Sequence, residues 1–277
     1  MIRDIEDSAA EFMAIRRELH AHPELSFAEE RTASRVAELL EGWGIPVVRG
    51  VGRTGVVGIL KRGQGKRAIG LRADMDALPM TESNDFAWKS ARQGMMHGCG
   101  HDGHTAMLVG AARYLAESRN FDGTAVMIFQ PGEEGHGGAD VMLEEDMHLV
   151  SGQMPIAAYG IHVFSSYPKG MFGSRAGALM AAAGGMTVKY TGAGGHGSMP
   201  WLSKDPISPM AEAISALQVM VNKRFSAFDP VVINVGWVKA GDDHTENVIP
   251  ETASFGATIR TFSVENTEKI KRYSTDL

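Results

Sequence analysis

The sequence predicts an α/β protein: a layered domain on a mostly parallel sheet over residues 1–175, then a ferredoxin-like α+β domain over residues 176–277. Three observations carry that expectation. Short apolar runs alternate with segments of helical periodicity through the first part of the chain, as the strands and crossover helices of a parallel sheet do. Residues 176–185 are rich in alanine and glycine, as a junction between domains can be. Beyond them the pattern becomes strand, helix, strand, strand, helix, which is a split β-α-β unit without its final strand.

The elements follow in order. Residues 8–21 fit a helix with Phe12, Ile15 and Leu19 on one face. Residues 28–43 fit a second, where Val36, Leu39, Leu40 and Trp43 form the apolar stripe and Gly44 suits the C-terminal stop. Apolar runs at 56–60, 68–71, 125–129 and 157–161 read as buried strands. The helix at 104–118 is expected to turn Met107, Leu108, Ala111 and Leu115 inward. In the second part, strands are expected at 186–190, 231–238 and 252–260, with a helix at 205–224. A last helix starts near Val264, with Ile270 and Tyr273 facing the core.

Composition narrows the function classes. A net charge of −6, with no long basic run, argues against nucleic acid as a partner. The N-terminus is acidic and lacks the apolar stretch of a signal peptide, and no segment is apolar over the length a membrane span requires. One cysteine rules out an intrachain disulfide and fits a reducing, cytoplasmic setting. The 17 methionines are expected to fill core space rather than line a binding surface.

The chemistry lies in runs at strand ends, where α/β sheets place their ligands. Residues 96–104 hold a thiol, three imidazoles and a carboxylate, spaced by glycines. Cys99, two residues from His101, makes a natural chelate for a borderline-soft ion such as zinc. Asp74 and Asp76 follow another apolar strand and could ligate a metal or orient a histidine ligand. Glu133 and Glu134 end a third strand, where neighbouring side chains diverge; one can ligate while the other serves a metal-activated water as general base. His162 ends a fourth. A solvated glycine-rich turn would account for any one of these runs. Four donors converging from successive loops (Cys99, His101, Glu134 and His162) are harder to account for that way. In the second part, His196 sits in a glycine-rich loop, and Asn247 and Arg260 are candidate carbonyl and anion binders.

These stretches resemble the amidohydrolase branch of the two-metal aminoacylase and carboxypeptidase-type zinc peptidases. That branch includes hippurate hydrolases, N-acyl-amino-acid amidohydrolases and plant hydrolases of indole-acetyl amino-acid conjugates. The matching stretches are 17–26, 71–79, 97–104, 130–135, 160–163, 194–200 and 247–250, in the family's order. The resemblance implies a zinc-peptidase-like catalytic domain and a lid that dimerises. It implies two divalent ions per subunit, Zn2+ or Mn2+ with Co2+ or Ni2+ also suited, on Cys99, His101, Glu134 and His162. Glu133 would be the catalytic base and Asp76 would support the site from behind. His196 would reach the partner subunit's active site, while Asn247 and Arg260 would hold the carbonyl and carboxylate of a small N-acyl amino acid. Two departures accompany the match. Family members continue past Leu277 into a part that returns to the first domain and carries one further histidine ligand. Both domains, and the second metal site, are therefore expected to be incomplete. The alternative to an active hydrolase is a truncated, inactive remnant holding one metal or none. Trp201, in turn, stands where relatives usually carry histidine.

Overall fold

The computed structural model describes residues 2–118 and 120–277. The chain divides into two units, residues 1–169 and 170–277.

The first unit opens with α1 (Ile2–Ala21) and α2 (Glu30–Gly42), followed by β1 (Val47–Val51), β2 (Gly55–Arg62) and β3 (Ala68–Asp74). Then come α3 (His101–Ser118), β4 (Gly123–Gln130), α4 (Gly138–Glu144) and β5 (Pro155–Gly160). The five strands form one sheet in the order β1-β2-β4-β3-β5. β3 pairs in parallel with both β4 and β5, while β2 is antiparallel to β1 and β4. Four strands thus run one way and β2 alone opposes them, so the sheet is mixed but mostly parallel, as the apolar runs predicted.

Every residue of β4 is buried, because helices cover both faces of the sheet. Ala125, Met127 and Phe129 meet Ile15, Leu19, Val36, Leu40 and Val109 of α1, α2 and α3. Val126 and Ile128 point the other way, toward Met142 of α4. This period-two alternation is what a central strand of a three-layer domain requires. Phe129 sits wholly inside the larger cluster; Phe129→Ala is expected to cost about 3–5 kcal/mol, measured by urea unfolding.

Helix α3 departs from the expected register. Leu108 is buried and Leu115 packs against the core as expected, but Met107 is exposed, and the buried line runs through Thr105, Leu108, Val109, Ala112 and Ala116. The cause lies at the helix start. α3 begins three residues earlier than predicted, and the Thr105 hydroxyl donates to the Asp74 carbonyl at 2.9 Å, which sets the helix rotation from the end of β3.

The register also explains why the site residues meet. Asp74 lies opposite Gln130, and Arg72 opposite Gly160. The loops leaving β3, β4 and β5 therefore emerge side by side at one sheet edge, with the start of α3 bonded to the same place.

The second unit holds β6 (Ala182–Thr191), β7 (Gly195–His196), α5 (Ile207–Arg224), β8 (Val232–Ala240), β9 (Val248–Ile249), β10 (Thr252–Thr261) and α6 (Val264–Thr275). β10 lies between β6 and β8 and is antiparallel to both, so β6-α5-β8 is a split β-α-β unit. Met210 and Leu217 of α5 and Ile270 of α6 pack with Ile233 and Phe255. Ile270 is buried and Tyr273 packs against this cluster, as expected. Ser263 caps α6, its hydroxyl accepting from the Asn266 amide at 3.2 Å. Among the described residues no helix is long and apolar enough to cross a membrane.

Candidate metal centre

The foundation is Asp74, the last residue of β3. Its carboxylate accepts from His104 Nδ1 at 2.6 Å and from Arg72 Nη1 at 2.7 Å. Burial opposes its ionisation, but the His104 hydrogen bond and the charges of His101 and Arg72 outweigh it. The acid is held well below the usual carboxylate range. With Nδ1–H spent on Asp74, His104 Nε2 accepts the Val163 amide at 2.9 Å and so fixes the segment that carries His162.

Asp76 is the hub of the next layer. One oxygen accepts from His101 Nδ1 at 3.2 Å. The other accepts the Ser26 hydroxyl at 2.7 Å and the Glu134 backbone amide at 2.9 Å. A single buried carboxylate thereby ties His101 to the Glu133–Glu134 turn.

His101 shows what this arrangement can hold. Because Nδ1–H donates to Asp76, Nε2 presents a lone pair, and that atom is buried without a partner. Facing it are oxygens of Asp74 at 3.6 Å, Glu133 at 3.8 Å and Glu134 at 3.9 Å. Glu134 Oε1 is itself buried and unpartnered. A lone pair aimed at carboxylates is repulsive unless a positive charge sits among them. Burial works against a charged imidazole at His101, yet the Asp76 hydrogen bond and the nearby Cys99 and Asp74 groups push it up to about 11, so the surroundings favour a positive charge at Nε2, be it a proton or a metal ion. The field at this point is that of a cation site.

Two sets of donor atoms, each mutually within 4.8 Å, share His101: one with Cys99 and His162, the other with Glu133 and Glu134. Cys99 Sγ lies 3.4 Å from His162 Nε2, and His162 Nδ1–H is committed to the Val163 carbonyl at 2.7 Å. The free nitrogen thus turns toward the sulfur. Asp74 and His104 meet the same distance limit with His101, but they are spent on one another and on Arg72 and Val163. Thiol, imidazole and carboxylate donors in this mixture suit zinc, manganese and their neighbours. The residues present fit a divalent ion. The two glutamates also differ: the Glu133 side chain is 42% exposed and the Glu134 side chain 22%. Burial, then the charges of Asp74 and Glu134, push the Glu133 carboxyl upward.

Beside the cluster, His97 is 4% exposed, and neither ring nitrogen has a partner. Burial pushes it down to about 4 from 6.5. Between those values the unfolded chain binds a proton that the folded chain does not, so stability falls as pH drops through the window. The full loss is roughly 3 kcal/mol. His97→Leu is expected to flatten that part of the profile in urea unfolding with EDTA present.

In the second unit, β7 pairs with β9, and the Gly197 amide donates to the Asn247 carbonyl at 2.7 Å, which brings His196 and Asn247 onto one ribbon. His196 is exposed, with Nδ1 accepting from the Ser198 amide and lying 2.9 Å from its hydroxyl. Arg260 is exposed near the end of β10 and donates to the Ile259 carbonyl at 2.8 Å. Trp201 is exposed in a short turn of 3-10 helix. Sequence reading gave His104 and Ser26 no role, although both hold the site. Their partners lie 30 and 50 residues away, and no local pattern reports such bonds.

Together, the sheet and the donor cluster at its strand ends define a metal-dependent hydrolase. Residues 70–269 match peptidase family M20/M25/M40, and the chain belongs to that family. It is 41% identical over 265 residues to the hippurate hydrolase of Campylobacter jejuni, a match covering 96% of this chain and 68% of that one. To the N-acyl-L-amino acid amidohydrolase of Geobacillus stearothermophilus it is 38% identical, covering 94% and 69%. Its fold matches that of a dinuclear metal binding peptidase of family M20 from Bacillus subtilis with a TM-score of 0.77 at 32% identity, covering 97% and 68%.

Proposed function

We propose that this chain hydrolyses the amide bond of N-acyl amino acids, hippurate-like substrates foremost, and that Glu133 is the general base. The contrast between two adjacent carboxylates carries the reading. Glu134 keeps Oε1 buried and unpartnered against His101, while Glu133 stands on the more open side of the same cluster. The names of the two relatives above support the substrate class.

Cys99, His101, Glu134 and His162 would hold two divalent ions, Zn2+ or Mn2+, with Asp76 orienting His101. When bound, such ions act as Lewis acids and bring the pKa of a water toward neutrality. Glu133 takes the proton of the attacking water as it adds to the amide carbonyl, then passes it to the departing nitrogen. His196 of the partner subunit stabilises the developing oxyanion. Asn247 holds the substrate carbonyl, and Arg260 pairs with the α-carboxylate. We assign residues 1–175 to catalysis and residues 176–277 to a lid through which the chain forms a homodimer. The setting is cytoplasmic, with neither nucleic acid nor membrane as partner.

The test is elemental analysis after dialysis against Mn2+ or Zn2+, followed by hydrolysis assays on hippurate and N-acetyl amino acids. About two ions per chain with turnover supports the reading, since two-metal hydrolysis needs both. One ion or none, without turnover, replaces it with the inactive-remnant reading.

A further inference from the structure

The connection between α1 and α2 carries a buried acid that the metal centre does not use. Glu29, the residue before α2, is 0% exposed, and among the described residues no cation offsets its charge. Its oxygens are answered by hydrogen bonds alone. One accepts the Gly132 amide at 2.9 Å, and the other accepts the Thr54 hydroxyl at 2.5 Å. Burial pushes this carboxyl above the usual glutamate range. An acid kept at such a cost in desolvation needs a reason.

The backbone around it is also held out of its ordinary range. Phe27 has φ 62° and Arg53 φ 76°; with Asp146 they are the three non-glycine residues of positive φ among those described. One of the three stands two residues before Glu29, and another immediately before Thr54, its hydrogen-bond partner. The Arg53 guanidinium lies 4.4 Å over the Phe27 ring, and that ring presses on Gly132, where an added Cβ would stand 2.8 Å from Phe27 Cζ. Gly132 has φ +59° and its carbonyl accepts the Gly138 amide at 2.9 Å. Left-handed backbone at a bulky residue persists only where its surroundings over-determine it. What these surroundings hold is the Pro131–Gly132 turn, immediately before Glu133 and Glu134.

We propose that Glu29 is a positioning residue: its carboxylate clamps the Pro131–Gly132 turn from behind, with Phe27 seated on Gly132, and so sets where Glu133 and Glu134 project. The inference rests on the assignment of those two glutamates to the metal centre. A carboxylate suits the task because two donors from different elements meet at one point, and an ionised acid accepts both without a donor of its own to satisfy. Alanine would leave the Gly132 amide unanswered in a dry place. Glutamine could offer its carbonyl to Gly132 and its amide to Thr54, whose hydroxyl is free to turn and accept.

The experiment compares wild type, Glu29→Ala, Glu29→Gln and Thr54→Val. Amide exchange of peptides spanning residues 130–136 is read with EDTA present, and Mn2+ affinity is measured by titration calorimetry. Glu29→Ala is expected to speed local exchange about tenfold or more and to weaken Mn2+ binding by about 10–100-fold. Glu29→Gln should stay within about threefold of wild type in both, because it keeps an acceptor for Gly132. Thr54→Val should fall between, and it carries the test if Glu29→Ala does not fold. Local exchange and Mn2+ affinity equal to wild type in whichever variant folds, with only the melting temperature lowered, would overturn the clamp. A wild type that binds no Mn2+ sinks the metal-centre assignment instead, and the exchange measurement then decides the clamp by itself.

Discussion

Glu133→Gln is expected to keep its metal and lose hydrolysis of an N-acyl amino acid by about 10²–10⁴-fold in kcat, the range that general-base catalysis supplies. Glutamine preserves the volume and one carbonyl oxygen, so the turn that carries it is undisturbed. It cannot accept a proton from water at neutral pH. The expected signature is therefore a split: ions per chain as in wild type, KM little changed, kcat reduced. Loss of metal in parallel with rate would instead make Glu133 a ligand, which its oxygen 3.8 Å from His101 Nε2 permits. Retained turnover would remove it from the base role altogether.

Asp76→Ala should damage both binding and folding. Three donors from three parts of the chain (the His101 ring, the Glu134 amide and the Ser26 hydroxyl) lose their acceptor at once. Of these, His101 is buried outright. Metal affinity should fall about 10–100-fold, as when an orienting partner of a ligand is removed. Stability should fall by about 3 kcal/mol. Calorimetric titration with Mn2+ and urea unfolding read the two effects separately. An Asp76→Ala protein with wild-type affinity would mean that His101 is oriented by its packing in α3 rather than by the acid.

Much of the first unit was legible because its signals are local. The apolar runs at β2, β3 and β4 are contiguous, and Cys99 and His101 advertise themselves by crowding reactive groups between glycines. β1 escaped notice because Arg49 and Gly50 interrupt its valines. α4 did so because seven residues are too few to show a helical period. The inward face predicted for α3 was rotated because a bond from Thr105 to Asp74, 31 residues away, sets the helix phase, and periodicity could not report it. The same reason hid Glu29, whose partner Gly132 is 103 residues distant. Ligand types are written in runs, whereas the bonds that aim them are written across the fold.

β5 closes one side of the five-stranded sheet, pairing with β3 alone. Ile156 and Tyr159, 65% and 61% exposed, stand on it beside a row of backbone amides and carbonyls that no other strand among the described residues takes up. Such a margin is a template for another chain's strand. A strand that comes to lie along it would pair through backbone groups and cover Ile156 and Tyr159.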